Sequence, residues 1–129
     1  MGFPEKVLSV KTLIVEDNAF FREMLKEKLQ TFSSSMVIYE AAEGREALQK
    51  VDDLKPELVF MDIRLPGENG IQLTQKIKVK YPNAKIIFLT SYDSLEYRGA
   101  AIRAGGNCYI PKESLGHIKI DKLVKALIE

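Results

Sequence analysis

The sequence predicts an α/β domain in which a five-stranded parallel sheet is covered by helices on both faces. Two observations carry this prediction. Short apolar runs alternate along the chain with longer stretches of helical periodicity, which is the pattern of strands joined by crossover helices. Most of the runs are continuously apolar rather than alternating, as expected of strands that are buried on both sides. A length of 129 residues is enough for one such domain and leaves little room for a second.

Five short apolar runs mark the predicted strands. They cover residues 13–15, 36–39, 58–61, 86–89 and 108–110. Parallel strands need long crossover connections, and the segments between these runs are long enough to hold helices. We therefore predict one strand at each run.

Apolar side chains at helical spacing mark the segments that follow the runs. In chain order these side chains are Phe21, Met24, Leu25 and Phe32; Ala47, Leu48, Val51 and Leu54; Leu73 and Ile77; the alanine-rich stretch 95–104; and Ile120, Leu123, Val124, Leu127 and Ile128. Asn18 is a plausible N-cap of the first helix. Pro56 closes off the second helix, and Gly105-Gly106 ends the fourth.

The alternation of five strands with five helices restricts the topology of the sheet. Right-handed crossovers leave few arrangements open, and the flavodoxin-like order 2-1-3-4-5 is the common one at this size. We predict one domain over residues 1–129, of which residues 1–10 form a short N-terminal leader.

Composition excludes several classes of function. The chain has 19 basic and 18 acidic residues, so no charge excess points to nucleic acid or to an anionic membrane as a direct partner of this domain. No apolar run approaches the roughly 18–20 residues that span a bilayer, and the opening residues lack a secretory pattern. We therefore expect a cytoplasmic protein. A single cysteine, Cys108, and a single histidine, His117, exclude an internal disulfide and a Cys/His zinc cluster.

Polar side chains follow four of the five predicted strands. Glu16 and Asp17 follow the first, Asp62 the third, Thr90 the fourth, and Lys112 the fifth. In an open parallel sheet, ligands bind beyond the carboxyl ends of the strands, where the strand order reverses. The sequence therefore predicts that these side chains converge on one edge.

Each of these residues has an ordinary structural explanation when it is taken alone. Glu16 and Asp17 suit a helix N-terminus, and Asp62 suits a turn. Thr90 suits a strand end, while Lys112 suits a solvated surface. Capping and turn formation do not explain why all of them gather at one edge.

Three carboxylates at one edge predict a site for a hard cation. Like charges raise one another's pKa values, and a divalent cation relieves that cost. Mg²⁺ prefers a few carboxylates together with waters and a phosphate oxygen, which predicts phosphoryl chemistry at the site. Asp62 is the candidate nucleophile, Lys112 would neutralise developing charge, and the Thr90 hydroxyl would supply a hydrogen bond.

Four sequence motifs lie at these positions and carry a family resemblance. They are Val-Glu-Asp-Asn at 15–18, Met-Asp-Ile-Arg-Leu-Pro-Gly at 61–67 with Gly70, Leu-Thr-Ser at 89–91, and Tyr-Ile-Pro-Lys at 109–112. In this order and at this spacing they resemble the receiver domain of bacterial two-component response regulators, from about Lys11 to the end of the chain.

The resemblance implies a phosphoacceptor site. Asp62 would take a phosphoryl group from a phosphohistidine on a sensor histidine kinase or a phosphotransfer protein. Mg²⁺ would be bound by Asp17, Asp62 and the backbone carbonyl of Arg64, with Glu16 acting mainly through water. Such domains catalyse their own phosphorylation and slow dephosphorylation, and they are not enzymes acting on a free substrate.

The resemblance also implies a conformational switch. Thr90 would move to bond the phosphate, and Tyr109 would then swing inward. This change would alter the surface formed by the fourth helix, the fifth strand and the fifth helix, which controls an output. Dimerisation through the fourth and fifth helices on phosphorylation is a further family-based expectation.

Three features depart from the common family pattern, and one of them is Leu115-Gly116-His117, which lengthens the loop before the fifth helix. Many members have proline directly after the lysine with a cis bond between them, whereas Pro111-Lys112-Glu113 has no proline to favour cis there. Lysine followed by an acidic residue resembles the subgroup that carries a helix-turn-helix DNA-binding domain, which would lie beyond residue 129. A stand-alone adaptor is the other version that stays open. Arg64 and Tyr92 lie where the family tunes the lifetime of the phosphate.

Other functions stay open at this point. A pseudo-receiver that binds partners without phosphorylation is the main alternative, although retention of the five polar strand-end residues disfavours it. A phosphatase with an aspartyl-phosphate intermediate usually needs a second acid two residues after the nucleophile, where Arg64 stands. An FMN protein is disfavoured because no phosphate loop rich in Ser, Thr and Gly follows the first strand.

Overall fold

The computed structural model describes residues 10–32, 36–91 and 94–128, so the leader up to residue 9 and Tyr92 lie outside the described residues. The five strands are β1 (Lys11–Val15), β2 (Val37–Ala41), β3 (Leu58–Asp62), β4 (Lys85–Thr90) and β5 (Cys108–Pro111). The helices are α1 (Ala19–Phe32), α2 (Gly44–Leu54), α3 (Gly70–Lys80), α4 (Leu95–Arg103) and α5 (Ile120–Ile128), with a 3-10 helix at Lys112–His117.

All strand pairs are parallel, and the sheet has the order β2-β1-β3-β4-β5. The predicted fold and strand order are therefore confirmed. The register places Val15 opposite Met61 and Asp62 opposite Leu89, so the carboxyl ends of β1, β3 and β4 lie side by side. Thr90 pairs with Pro111, which brings the end of β5 to the same edge.

Two apolar clusters cover the two faces of the sheet. Alternate residues of the central strands point to opposite faces, so Val59 and Met61 join one cluster while Leu58 and Phe60 join the other. Residues of α2, α3 and α4 pack in the first cluster, and residues of α1 and α5 pack in the second. Burial on both faces explains why these strands are continuously apolar in sequence.

Local side-chain hydrogen bonds define several helix ends. The Asn18 side chain accepts from the Phe21 N–H at 2.9 Å, which confirms the predicted N-cap of α1. Asn69 caps α3 in the same way, at 2.9 Å from the Gln72 N–H. At the end of α4, Gly105 has a φ of +110° and the Gly106 N–H donates to the Ala101 carbonyl at 3.0 Å. This left-handed ending agrees with the predicted glycine stop.

The burial of two residues differs from the sequence-based expectations. On α1 the buried side chains include Leu25 and Leu29, whereas Met24, which was expected on the core face, is 42% exposed. Val10, the last residue of the predicted leader, is fully buried and its carbonyl accepts from the Val37 N–H at 3.1 Å. Val10 therefore packs with the domain. Within the described ranges, no helix combines the length and apolarity needed to cross a bilayer.

Gly70 lets α3 begin directly against the end of β3. Its N–H donates to the Ile63 carbonyl at 2.8 Å. A Cβ at this position would lie 2.0 Å from the Asp62 carbonyl oxygen, far inside van der Waals contact. Only glycine permits this approach, which sets the loop between Asp62 and α3.

We predict that Gly70→Ala destabilises the protein by at least ~2 kcal/mol, because the clash with the Asp62 backbone outweighs the higher helix propensity of alanine. Urea unfolding would measure the difference. The matched control is Gly116→Ala, where an added Cβ meets nothing within 4 Å, so a change within about 0.5 kcal/mol is expected. Equal effects of the two substitutions would contradict this account.

Candidate functional site

Three carboxylates meet at the edge of the sheet where β1 and β3 end. Glu16, Asp17 and Asp62 each offer an oxygen within 4.8 Å of those of the other two. Glu16 and Asp62 are only 2% and 5% exposed, whereas Asp17 faces solvent. The predicted convergence is therefore present, with one open side from which a ligand can approach.

Lys112, the residue after β5, reaches this acidic cluster. Its Nζ lies 2.6 Å from Glu16 Oε1 and 3.5 Å from Asp62 Oδ2. The same ammonium lies 4.5 Å from the centre of the Phe21 ring, so an aromatic face covers it. The lysine thus bridges two buried carboxylates from the end of β5.

Backbone N–H groups orient the two buried carboxylates. Glu16 Oε2 accepts from the Asn18 N–H at 2.9 Å, and Asp62 Oδ1 accepts from the Arg64 N–H at 3.4 Å. The other oxygen of each carboxylate lies near the ammonium of Lys112. Arg64 lies in the loop that leaves β3, and its side chain is exposed.

A cavity of about 330 Å³ opens beside the acidic cluster between the ends of β4 and β5. The residues that line it are Thr90, Ser91, Pro111, Lys112 and Glu113. Thr90 is buried, and the exposed Ser91 follows it. Throughout the described residues every peptide bond is trans, which agrees with the absence of proline after Lys112. The segment expected as a lengthened loop is the 3-10 helix that begins at Lys112.

Tyr109 lies on β5 opposite Phe88, two residues before Pro111, which pairs with Thr90. Its ring is half-buried, and the Arg98 guanidinium of α4 lies 4.9 Å from the ring centre. The side chain is therefore held between the core and α4. Tyr109 belongs neither to the acidic cluster nor to the residues that line the cavity beside it.

The electrostatics of the cluster follow from burial and crowding. Burial, and next the negative charge of Glu16, raise the pKa of Asp62 to about 7, while Lys112 opposes this rise. Three carboxylates and no thiolate or imidazole form the donor set, which fits a hard cation such as Mg²⁺. A cation there would offset the repulsion that Lys112 offsets only in part.

Sequence reasoning listed Phe21 only among the apolar side chains that mark the first helix, and it missed the contact with Lys112. The ring packs against the second apolar cluster and also lies over the ammonium of Lys112. A local signal exists, because Phe21 stands in the first turn after the acidic pair, close to the strand ends. Cys108 is half-buried and burial raises its pKa, which agrees with an unreactive thiol. His117 is exposed at the end of the 3-10 helix.

Comparison with known proteins gives a consistent result. A family model described as the response regulator receiver domain matches residues 12–127. The chain is 42% identical to the chemotaxis protein CheY of Thermotoga maritima over 102 residues, covering 79% of this chain and 84% of that protein. It is 33% identical to the transcriptional regulatory protein LnrK of Bacillus subtilis, covering 92% of this chain and 52% of that protein. The chain thus spans about half the length of LnrK.

Solved structures resemble the fold closely. A LuxR-family two-component response regulator from Aurantimonas superposes with a TM-score of 0.85 at 26% identity, covering 93% of this chain and 86% of that one. A CheY-like receiver domain protein from Methanospirillum hungatei gives a TM-score of 0.82 at 29% identity, covering 92% and 93%.

We predict that Asp62→Asn stabilises the cation-free protein above neutral pH. The folded pKa of about 7 exceeds the ordinary value of 3.8, so the contribution of Asp62 to stability is fully present below pH 3.8 and is lost as the pH rises through 7. At pH 8 in EDTA the variant should exceed the wild type by on the order of 1–3 kcal/mol in unfolding free energy. This gain should shrink toward pH 4.

Urea unfolding at several pH values would measure this effect. Asp53→Asn, which replaces an exposed carboxylate on α2 outside the acidic cluster, is the matched control for the substitution. A pH-independent gain in Asp62→Asn would contradict the prediction.

Proposed function

The chain belongs to the response regulator receiver domain family of two-component systems, and we propose that it is a switch controlled by phosphorylation of Asp62. The phosphoryl group would come from a phosphohistidine on a sensor histidine kinase or a phosphotransfer protein. The observation that carries this proposal is the position of the buried Asp62 carboxylate. It belongs to the group of three carboxylates that could hold a cation, and it also lies near the ammonium of Lys112. No other cluster of metal-binding side chains occurs among the described residues.

Asp62 is the nucleophile in this proposal. One carboxylate oxygen forms a bond to phosphorus while the bond from phosphorus to the histidine nitrogen breaks, and the nitrogen keeps the electron pair. The Arg64 N–H and Lys112 hold the two Asp62 oxygens on different sides, which fixes the carboxylate plane. Reaction requires the deprotonated form, so a bound cation that lowers the raised pKa of Asp62 would favour it.

Glu16, Asp17, Asp62 and the backbone carbonyl of Arg64 would hold Mg²⁺. When bound, the ion supplies positive charge that offsets the charge developing on the transferred phosphoryl oxygens. The exposure of Asp17 leaves room for waters, which Mg²⁺ usually retains in protein sites. Glu16 is already engaged by Asn18 and Lys112, which supports a role mainly through water.

Lys112 and Thr90 would hold the phosphoryl group after transfer. Both line the cavity beside Asp62, on the side of β4 and β5. The ammonium neutralises part of the added charge, and the hydroxyl donates a hydrogen bond to a phosphate oxygen. Movement of Thr90 toward the phosphate would change the space available to Tyr109 on the neighbouring strand.

This coupling would carry the signal to the face formed by α4, β5 and α5. Tyr109 is half-buried against α4, so a change in its position alters how α4 packs. Two large apolar side chains on α4, Leu95 and Ile102, are 86% and 60% exposed and offer surface for association. The added charge then shifts the equilibrium between two packings of the domain. Slow hydrolysis of the aspartyl-phosphate by the domain itself would reset it.

The output of the switch belongs to the same proposal. The names of two relatives describe transcriptional regulatory proteins, and the chain spans about half of their length. We propose a cytoplasmic regulator in which a DNA-binding domain beyond residue 129 reads the switch, while the receiver itself makes no contact with nucleic acid. A pseudo-receiver that works without phosphorylation is disfavoured because the carboxylates and Lys112 meet at one site.

We predict that incubation with acetyl phosphate and Mg²⁺ adds one phosphoryl group, measured by intact mass. Asp62→Asn should show no adduct, because the amide is not a nucleophile toward phosphorus. Asp53→Asn, which keeps the site intact, should be phosphorylated like the wild type. EDTA should abolish the adduct in the wild type and in Asp53→Asn. If neither acetyl phosphate nor a panel of histidine kinases modifies the wild type, the pseudo-receiver becomes the better description.

We predict that phosphorylation promotes dimerisation through α4, β5 and α5. Analytical ultracentrifugation at high protein concentration should show the phosphorylated wild type sedimenting faster than the bare protein. Thr90→Ala should still accept the phosphoryl group at Asp62 but remain monomeric, because the hydroxyl contact that moves the face is missing. Equal sedimentation of the phosphorylated and bare wild-type protein would contradict this prediction.

A further inference from the structure

The backbone of Glu16 is held from two directions. Its N–H donates to the carbonyl of Ala41 on the edge strand β2 at 2.9 Å. Its carbonyl accepts from Arg22 Nη1 at 2.7 Å. That carbonyl belongs to the peptide unit joining Glu16 to Asp17, so the Arg22 guanidinium holds the link between the two acidic residues.

Arg22 is itself held in place by β2. Its Nε lies 2.9 Å from Glu40 Oε1, and this contact is both a hydrogen bond and an ion pair. A guanidinium is a planar fork, so one side chain can hold a carboxylate and a carbonyl at the same time in fixed geometry. Glu40, Arg22 and the peptide unit of Glu16 thus form a chain of contacts from the sheet edge to the acidic cluster.

We propose that Arg22 is a positioning residue for the cation site, resting on the function proposed above. By holding the peptide plane between Glu16 and Asp17, it sets the directions in which both side chains leave the backbone. Residues that orient metal ligands from the next layer commonly change metal affinity by 10–100-fold when they are replaced. Neither the side chain of Arg22 nor that of Glu40 belongs to the predicted donor set.

A purely structural role for the pair makes a different prediction. If Arg22 only stabilises the packing of α1 against β2, then replacing another residue that links the same two elements should change Mg²⁺ affinity equally. Lys26 is such a residue, because its Nζ lies 3.1 Å from Glu40 Oε2. The bonds described for Lys26 all go to acidic side chains, and none goes to the carbonyl of Glu16. Lys26 is therefore the matched control.

The direction of the change in Mg²⁺ affinity distinguishes a positioning role from a purely electrostatic one. Replacing either Arg22 or Lys26 with alanine removes one positive charge that contacts Glu40. Coulomb's law alone predicts that this loss strengthens the binding of a cation. Weaker binding in Arg22→Ala would run against that trend and would report the loss of ligand orientation.

The experiment measures Mg²⁺ affinity of folded, unphosphorylated protein by isothermal titration calorimetry. Circular dichroism would set a temperature at which each variant is folded. We expect Arg22→Ala to bind Mg²⁺ ~10-fold more weakly than the wild type, and Lys26→Ala to bind within about twofold of it or slightly more tightly. If Arg22→Ala fails to fold, Arg22→Lys keeps the charge but loses the fork, and several-fold weaker binding is expected.

The possible outcomes are distinct. Wild-type affinity in a folded Arg22→Ala or Arg22→Lys would overturn the positioning role and leave the phosphoacceptor proposal intact. An equal loss in Lys26→Ala would also overturn it, because the tie between α1 and β2 would then explain the effect. A wild-type protein that neither binds Mg²⁺ nor accepts a phosphoryl group would overturn both proposals.

Discussion

The concentration of negative charge at one edge of the sheet is the constraint on which the rest of the site depends. Two of the three carboxylates are almost fully buried, and burial removes the water that would otherwise screen them. Lys112 offsets part of this charge with contacts to Glu16 and Asp62. Burial, and next the negative charge of Glu16, raise the pKa of Asp62, so this edge of the sheet gains from a bound cation. The buried carboxylates therefore lower the stability of the folded protein at the edge where a cation would bind.

The parallel sheet is what makes this concentration possible. Strands that run in one direction end at one edge, so residues far apart in sequence meet without any local contact between them. The reversal of strand order between β1 and β3 leaves an open crevice above their ends. Gly70 then lets the chain turn tightly against Asp62. Thr90 of β4 pairs with Pro111 of β5, so the next residue, Lys112, lies at the crevice.

A second layer of contacts supports the residues of the cluster. Phe21 covers the ammonium of Lys112, and Asn18 turns the Glu16 side chain while it also caps α1. Arg22 holds the Glu16 carbonyl and is anchored on Glu40. All three residues come from the first turns of α1 or the residue before it. The start of this helix therefore serves both as a structural element and as the frame of the acidic pair.

The sequence by itself determined the strands, the order of the helices, the N-cap at Asn18 and the polar residues at the strand ends. These features depend on periodicity and on hydrogen bonds within a few residues, which a single sequence displays directly. Only the tertiary structure decided that Leu29 rather than Met24 faces the core, and that Phe21 covers Lys112. It also decided that Arg22 reaches the Glu16 carbonyl. These contacts depend on how α1 lies against the sheet and on the register of β2 beside β1, and packing between distant segments sets both.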